Sequence, residues 1–210
     1  MKVAILGAGR VGSALGRLWS ERGHEVTFGV RDPAKESVVR LVEECGARAA
    51  VATIPEAVKP ARVVVLSIPW RVAPEVIAAA GDLAGKIVVD CTNPVAPGLD
   101  GVSVAAGTSA AEEIARLAPR AKVVKAFNTI GADSLANPTF GADRATAFLC
   151  GDDAEAKGLV AMLAEQLGFE AVDAGPLTSA RMLEPMAVLW IRLAGTQFGS
   201  GIAFKLLRRP

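Results

Sequence analysis

The chain has 210 residues, with 23 lysines and arginines against 22 aspartates and glutamates, so it can bury a sizeable core but carries no broad basic face, and a nucleic-acid partner is not expected. Hydrophobic residues make up 51% of the chain, yet they fall in short runs such as Val63-Val64-Val65-Leu66 and Ile87-Val88-Val89, far below the length of a membrane span. Cys45, Cys91 and Cys150 are widely spaced and His24 is the single histidine, which argues against a disulfide framework or a metal centre and fits reduced, buried thiols. The first strand begins at the second residue, so no signal peptide is expected and the protein is read as cytoplasmic.

Lys2-Val3-Ala4-Ile5-Leu6 reads as a strand and runs directly into Gly7-Ala8-Gly9-Arg10-Val11-Gly12. A lone G-x-G-x-x-G is weak, but between a strand and a helix it is the signature of a dinucleotide site. Gly7 permits the tight turn, Gly9 presents no Cβ to a pyrophosphate, and Gly12 lets the helix pack close to the sheet. Ala14, Leu15, Leu18 and Trp19 then recur at helical spacing, with Gly16 as a second close-approach point and Gly23 as the stop. The helix N-terminal amides and dipole would face a diphosphate.

The next strand covers 26–30, followed by a helix over about 33–44, a short strand over 48–51 and a small helix near 55–58. A strand over 63–67, a helix over about 70–80 and a strand over 87–91 come next. The capping box Ser109-Ala110-Ala111-Glu112 opens another helix, and 123–127 is the sixth strand. This alternation predicts an α/β fold with a doubly wound, mainly parallel, Rossmann-like sheet whose ligand sits beyond the carboxyl ends of the strands. Past Asn128 the pattern continues without a linker: strand 145–150, helix 153–167, strand 170–173, and a helical stretch to about 194. The whole of 1–210 is thus read as one domain, with 1–127 as the Rossmann core and 128–210 as a βαβα extension. The last helix, with Met186, Val188, Leu189, Trp190, Ile191 and Leu193, is apolar on nearly every side. A helix covering only its own sheet keeps a polar stripe, so a homodimer through this helix is favoured over a deeply buried terminal helix.

The end of the second strand discriminates between dinucleotides, because an NAD enzyme usually carries an acid there for the ribose 2′-hydroxyl. Here the residue is Val30, followed by Arg31, with Lys35 one turn into the next helix. Two converging cations suit a 2′-phosphate, so NADP is favoured. A competing reading gives Asp32 the ribose role, but Asp32 before Pro33 looks like a helix N-cap with proline at the first helical position, and the cap is preferred. Reduction of a carbonyl needs a proton donor at its oxygen, and candidates are scarce. Tyrosine is absent, and His24, in Gly23-His24-Glu25, lies at the wrong end of the sheet. Lys125 near a strand's carboxyl end can serve as an acid, anchor a phosphate or pair with a carboxylate. Hydride exchange with a second redox cofactor needs no such residue, only positioning and exclusion of water.

Four further segments carry a resemblance: Gly23-His24-Glu25-Val26, Leu66-Ser67-Ile68-Pro69-Trp70, Cys150-Gly151-Asp152-Asp153 and Asp173-Ala174-Gly175-Pro176-Leu177. In order and spacing they are similar to segments of the deazaflavin (coenzyme F420)-dependent NADP oxidoreductases, and the similarity spans nearly the whole chain. The resemblance implies Ala8, Gly9, Arg10 and Val11 on the diphosphate, between Gly7 and Gly12 of the glycine fingerprint, and Val30, Arg31 and Lys35 around the 2′-phosphate. It also implies Trp70 and Ala132 along the cofactor, and Ile202, in Gly201-Ile202-Ala203-Phe204-Lys205, against the deazaflavin. Ile68 and Pro69 bracket a turn that can pass over the nicotinamide ribose. Asn93 in Cys91-Thr92-Asn93-Pro94 is either a carboxamide partner or a plain turn residue. Cys91 is read as an inert buried thiol. Where the deazaflavin reductases carry a histidine after the sixth strand, this chain has Asn128. That stretch more closely resembles the NADPH-oxidising domain of the six-transmembrane metalloreductases, which pass hydride to FAD and electrons on to haem.

The leading expectation is an oxidoreductase exchanging hydride between NADPH and a deazaflavin, FMN or FAD, with Asn128, Thr129 and Ile202 shaping the meeting point. One alternative is a dehydrogenase of a small carbonyl or imine with Lys125 as acid. The other is a non-catalytic NADP-sensing protein.

Overall fold

The computed structural model describes residues 1–209. The chain alternates β1 (Lys2–Leu6), α1 (Arg10–Glu21), β2 (Glu25–Val30), α2 (Glu36–Cys45), β3 (Ala49–Thr53), α3 (Ile54–Val58) and β4 (Val63–Leu66). It continues through α4 (Ala73–Ala80), β5 (Ile87–Asp90), α5 (Ala110–Leu117), β6 (Lys122–Ala126) and α6 (Ala132–Ala136). A small hairpin, β7 (Thr139–Phe140) with β8 (Asp143–Arg144), precedes β9 (Thr146–Gly151), α7 (Ala154–Gln166), β10 (Glu170–Asp173) and α8 (Ala180–Leu193).

Eight strands form one sheet in the order β10-β9-β6-β5-β4-β1-β2-β3. The chain first winds outward from β1 through β2 to β3, then crosses back to β4 and winds the other way. The reversal falls between β1 and β4, which pair in parallel with Leu6 opposite Leu66, and this is where a doubly wound sheet opens a ligand crevice. The mainly parallel sheet is as expected from the sequence. The one antiparallel neighbour is β9, which pairs with β6 through Lys125 opposite Cys150, so the extension continues the same sheet with its direction reversed.

Two apolar layers hold the elements. On one face Ile5, Leu15, Trp19, Phe28 and Phe127 join Leu149, Leu163 and Phe169 under α1 and α7. On the other, Leu6, Leu66, Ile77, Ile114, Leu177 and Leu183 pack under α4, α5 and α8. Strands β4 and β5 are buried along their whole length, as the unbroken valine runs require of strands covered on both faces. Ser109 caps α5 as expected, its Oγ accepting from Glu112 N at 3.2 Å, but the Glu112 carboxylate accepts from the Ser109 hydroxyl at 2.8 Å and not from its backbone amide, so only half of the expected box forms. A full box caps α3, where the Glu56 carboxylate accepts from Thr53 N at 3.1 Å. His24 is buried at the amino-terminal edge, its Nε2 2.8 Å from Gln166 Oε1.

Several local expectations are corrected. Asp32 does not cap α2: its Oδ1 accepts from Ala34 N at 3.0 Å in a turn, and the helix starts at Glu36 with Lys35 as N-cap. Lys35 therefore sits just ahead of the helix and not one turn into it. The stretch from Trp70 begins as one 3-10 turn and becomes α-helical only at Ala73, with Pro74 in its first turn. Among the described residues, no helix is long and apolar enough to cross a membrane.

Candidate functional site

The glycine loop is built by backbone geometry. Gly7 has φ +108°, and a Cβ there would lie 2.6 Å from Ser67 O. A Cβ on Gly12 would lie 2.2 Å from Gly7 O and 2.4 Å from Ser67 Oγ. Only glycine fits either place, because the obstructing atoms are backbone or are fixed by it. Ser67, at the end of β4, closes the crevice floor by donating to Gly7 O at 3.0 Å. Gly9 differs: a Cβ there would meet nothing within 4 Å, so the space beside it is open to a ligand. Gly9 is also the N-cap of α1 and carries no side-chain cap, leaving the helix's first amides available to an anion.

From this loop a groove of about 580 Å³ runs over the ends of β1, β2 and β4. Its walls include Gly7, Ala8, Val30, Arg31, Lys35, Ile68 and Pro69, seven residues that the sequence had assigned to the dinucleotide. Arg31 and Lys35 are exposed and, among the described residues, neither joins an ion pair. Ser37, Val72, Glu75 and Val76 also line the groove and were missed by sequence reasoning. Ser37 had a readable signal, since it follows Lys35 by two residues in the first turn of α2 and adds a hydroxyl donor to the two cations. Val72, Glu75 and Val76 had none, because only the fold brings the start of α4 and the turn before it to the groove that the end of β2 lines.

Other expected contacts lie elsewhere. Trp70 is half-buried and packs on the core under α4, behind Pro69. Arg10 and Ala132 line a separate cleft between α1 and α6. There Arg10 donates to both oxygens of Asp133, at 3.0 and 3.2 Å.

At the carboxyl ends of β5 and β6, the expected acceptor side, two asparagines hold each other. Asn93 Nδ2 donates to the backbone carbonyl of Asn128 at 2.8 Å, and Asn128 Nδ2 donates to Asn93 Oδ1 at 3.1 Å and to Leu183 O at 2.9 Å. The two backbone carbonyls fix both amide orientations, since a carbonyl accepts only from an amide nitrogen. The turn that aims Asn128 passes through Phe127, whose φ of +61° is unusual for an aromatic residue. Burial of Phe127 edge-on against Trp19, with ring centroids 5.8 Å apart, holds it there. Thr129 is buried beside this pair. Ile202 is half-buried in the segment after α8, where its carbonyl accepts from Trp190 Nε1 at 3.0 Å.

Lys125 does not reach the groove. It is fully buried, with Nζ 2.7 Å from Asp90 Oδ2, 3.0 Å from Glu184 Oε1 and 2.6 Å from Thr92 O. Burial alone would lower its pKa, but the Asp90 and Glu184 carboxylates outweigh that and raise it above the ordinary lysine value. The second negative charge is met by α5, whose first amides at Ala110 and Ala111 donate to Glu184 at 3.0 and 3.2 Å. All three hydrogens of the ammonium are committed, so the arrangement anchors α5 and α8 to the strand ends and has no proton to offer a substrate. Of the neighbouring thiols, Cys150 is buried, whereas Cys91, expected to be buried, is half-buried. Desolvation, reinforced by Asp90, pushes Cys91 far above the usual thiol range, and burial pushes Cys150 up to about 12.

The model of the family "NADP oxidoreductase coenzyme F420-dependent" matches residues 2–94, which include every residue lining the groove. A crystal structure from Arthrobacter sp. FB24, provisionally described as an F420-dependent NADP reductase, superposes with a TM-score of 0.90 at 34% identity. It covers 99% of this chain and 100% of its own. A hypothetical protein, SMa0349 from Sinorhizobium meliloti, is 33% identical with a TM-score of 0.77, over 86% of this chain and 88% of its own. Metalloreductase STEAP3 of Rattus norvegicus is 34% identical over 184 residues, or 87% of this chain and 36% of the rat protein. The chain therefore spans about a third of that relative's length. With likeness running through the glycine loop, the groove and the extension alike, the chain belongs to the family of coenzyme F420-dependent NADP oxidoreductases.

Proposed function

We propose that this protein binds NADP(H) in the groove between β1 and β4 and transfers hydride between NADPH and a deazaflavin (coenzyme F420) or a flavin, FMN or FAD. The observation that carries the reading is the groove itself. Its wall joins Gly7 and Ala8 of the glycine loop, where the space beside Gly9 is open, to two exposed cations without ion-pair partners among the described residues, Arg31 and Lys35.

The residues present fit that cofactor. The amides after Gly9 receive the diphosphate, Arg31 and Lys35 with Ser37 receive the 2′-phosphate, and Val30 leaves room where an acid would repel it. Ile68 and Pro69 form the wall along the nicotinamide ribose. Beyond them Asn93 and Asn128 hold the strand ends rigid, with Thr129 and Ile202 completing the acceptor side. The bound nicotinamide supplies the hydride chemistry, and the protein contributes alignment and exclusion of water. No side chain has to donate a proton at the reacting carbon, which suits a site whose nearest buried cation is locked. That same lock weighs against a carbonyl or imine reductase using Lys125 as acid.

In this reading residues 128–210 complete the acceptor side, and the protein acts in the cytoplasm as a homodimer through α8, where Met182 and Leu189 are exposed. The test is an acceptor panel: NADPH mixed with the protein and deazaflavin, FMN or FAD in turn, following the nicotinamide absorbance. Rapid oxidation with one acceptor is expected. Tight NADPH binding with no oxidation by any acceptor would instead support an NADP-sensing protein.

A further inference from the structure

Arg10 is the first residue of α1, directly after the open space at Gly9, yet its guanidinium is turned away from the groove onto Asp133. The same carboxylate has a second donor. Ser200 Oγ, in the segment that follows α8, donates to Asp133 Oδ2 at 2.7 Å. Hydrogen bonds from Ser200 and Arg10 hold the Asp133 carboxyl below its ordinary range, so it is ionised across neutral pH. The segment that Ser200 begins is tied down beyond it. Trp190 Nε1 holds Ile202 O, Phe204 O accepts from Thr146 N at 2.9 Å, and Lys205 pairs with Glu170. Gly131, just before α6, allows the Trp190 ring to lie against it, since a Cβ there would sit 2.5 Å from the ring. One carboxylate thus joins the start of the glycine-loop helix to the chain segment that carries Ile202.

We propose that Asp133 is a positioning residue that competes with the cofactor diphosphate for Arg10 and, through Ser200, fixes the C-terminal segment over the acceptor side. The proposal rests on the reading that NADP(H) occupies the glycine loop. Arg10 is anchored at the helix end where the diphosphate would sit, and its long side chain can reach either anion. Both partners are largely exposed, at 75% and 56% of their side-chain surface, so the exchange is close to balanced and a strong anion can win it. Cofactor arrival then moves Arg10 from Asp133 to phosphate, and Asp133 keeps Ser200 in place for the second partner.

Two measurements test this separately. NADPH dissociation constants are compared for wild type, Asp133→Asn, Arg10→Ala and the double variant. Weakening the competitor is expected to tighten NADPH by up to about fivefold, the scale of an exposed pair, and to have no effect when Arg10 is already removed. Weaker binding in Asp133→Asn, or the same effect in both backgrounds, overturns the competition. Independently of any ligand, Asp133→Ala and Ser200→Ala are expected to speed tryptic cleavage after Lys205 severalfold in the free protein. Unchanged cleavage in both overturns the tie to the C-terminal segment. A wild type that binds no NADPH would instead count against the cofactor reading, while the proteolysis arm still decides the tie.

Discussion

Replacing Lys125 by Met separates an anchor from a proton donor. The substitution keeps the volume and removes what is, among the described residues, the only positive side chain bonded to Asp90 and Glu184, both buried. Asp90 keeps one hydrogen bond, from Thr92 N at 2.8 Å, and Glu184 keeps the two α5 amides, but neither set neutralises a full charge. Removing one partner of a buried pair costs about 3–5 kcal/mol. In a chain of this size each kcal/mol moves Tm by about 2–4 °C, so a fall of about 6–20 °C is expected. Thermal unfolding followed by circular dichroism, with urea titration as a check, measures it. The pH dependence has a defined sign. The folded pKa of Lys125 is raised, so its contribution is complete below the ordinary lysine value near 10.4 and is lost as pH climbs through the folded value. The gap between wild type and Lys125→Met should therefore narrow only in strong alkali. A loss below about 1 kcal/mol, together with collapse of the chemical step and disappearance of a proton-transfer limb from its pH profile, would refute the anchor and restore Lys125 as an acid.

Other substitutions divide folding from binding. Gly9→Ala places a methyl where no protein atom lies within 4 Å, so unfolding should shift by less than about 1 kcal/mol while NADPH affinity falls sharply in titration calorimetry. Gly12→Ala drives its methyl onto Gly7 O and Ser67 Oγ and should cost about 1–3 kcal/mol or more of stability as well as binding. Arg31→Ala removes one charge-assisted contact to the 2′-phosphate. NADPH affinity should drop roughly tenfold or more with NADH nearly unchanged, and an unaltered NADPH to NADH ratio would remove the argument drawn from the end of β2.

Much of this was legible from residues 1–127 because the signals there are local. Valine runs mark buried strands, and the three glycines each answer to a close contact that the fold does make or leaves open. Val30 with Arg31 and Lys35 pointed to the groove wall that they do line. Asp32 misled because an aspartate before proline satisfies an amide equally well in a turn or at a helix cap, and nothing within a few residues decides between them. The reversed direction of β9 had no signal, since an apolar strand buried on both faces reads the same either way. The hairpin of β7 and β8 is too short to show a period. At the carboxyl ends of β5 and β6 the sequence singled out Asn93, Lys125 and Asn128 and left their partners open. Lys125 meets Asp90 and Glu184, and Arg10 meets Asp133, only through elements far apart in the chain, and spacing alone cannot pair such charges. The apolar α8 was legible as a helix with a second face to cover, but the segment carrying Ile202 was not seen to return along Trp190.

The most direct measurement is a single turnover with NADPH deuterated at the transferring C4 position and one equivalent of oxidised deazaflavin. Alignment of two cofactors without an intervening acid predicts that the deuterium is found on carbon in the reduced deazaflavin. Deuterium released to solvent from the deazaflavin reaction, or NADPH left unoxidised by deazaflavin, FMN and FAD alike in a protein that binds it tightly, would contradict direct transfer between cofactors.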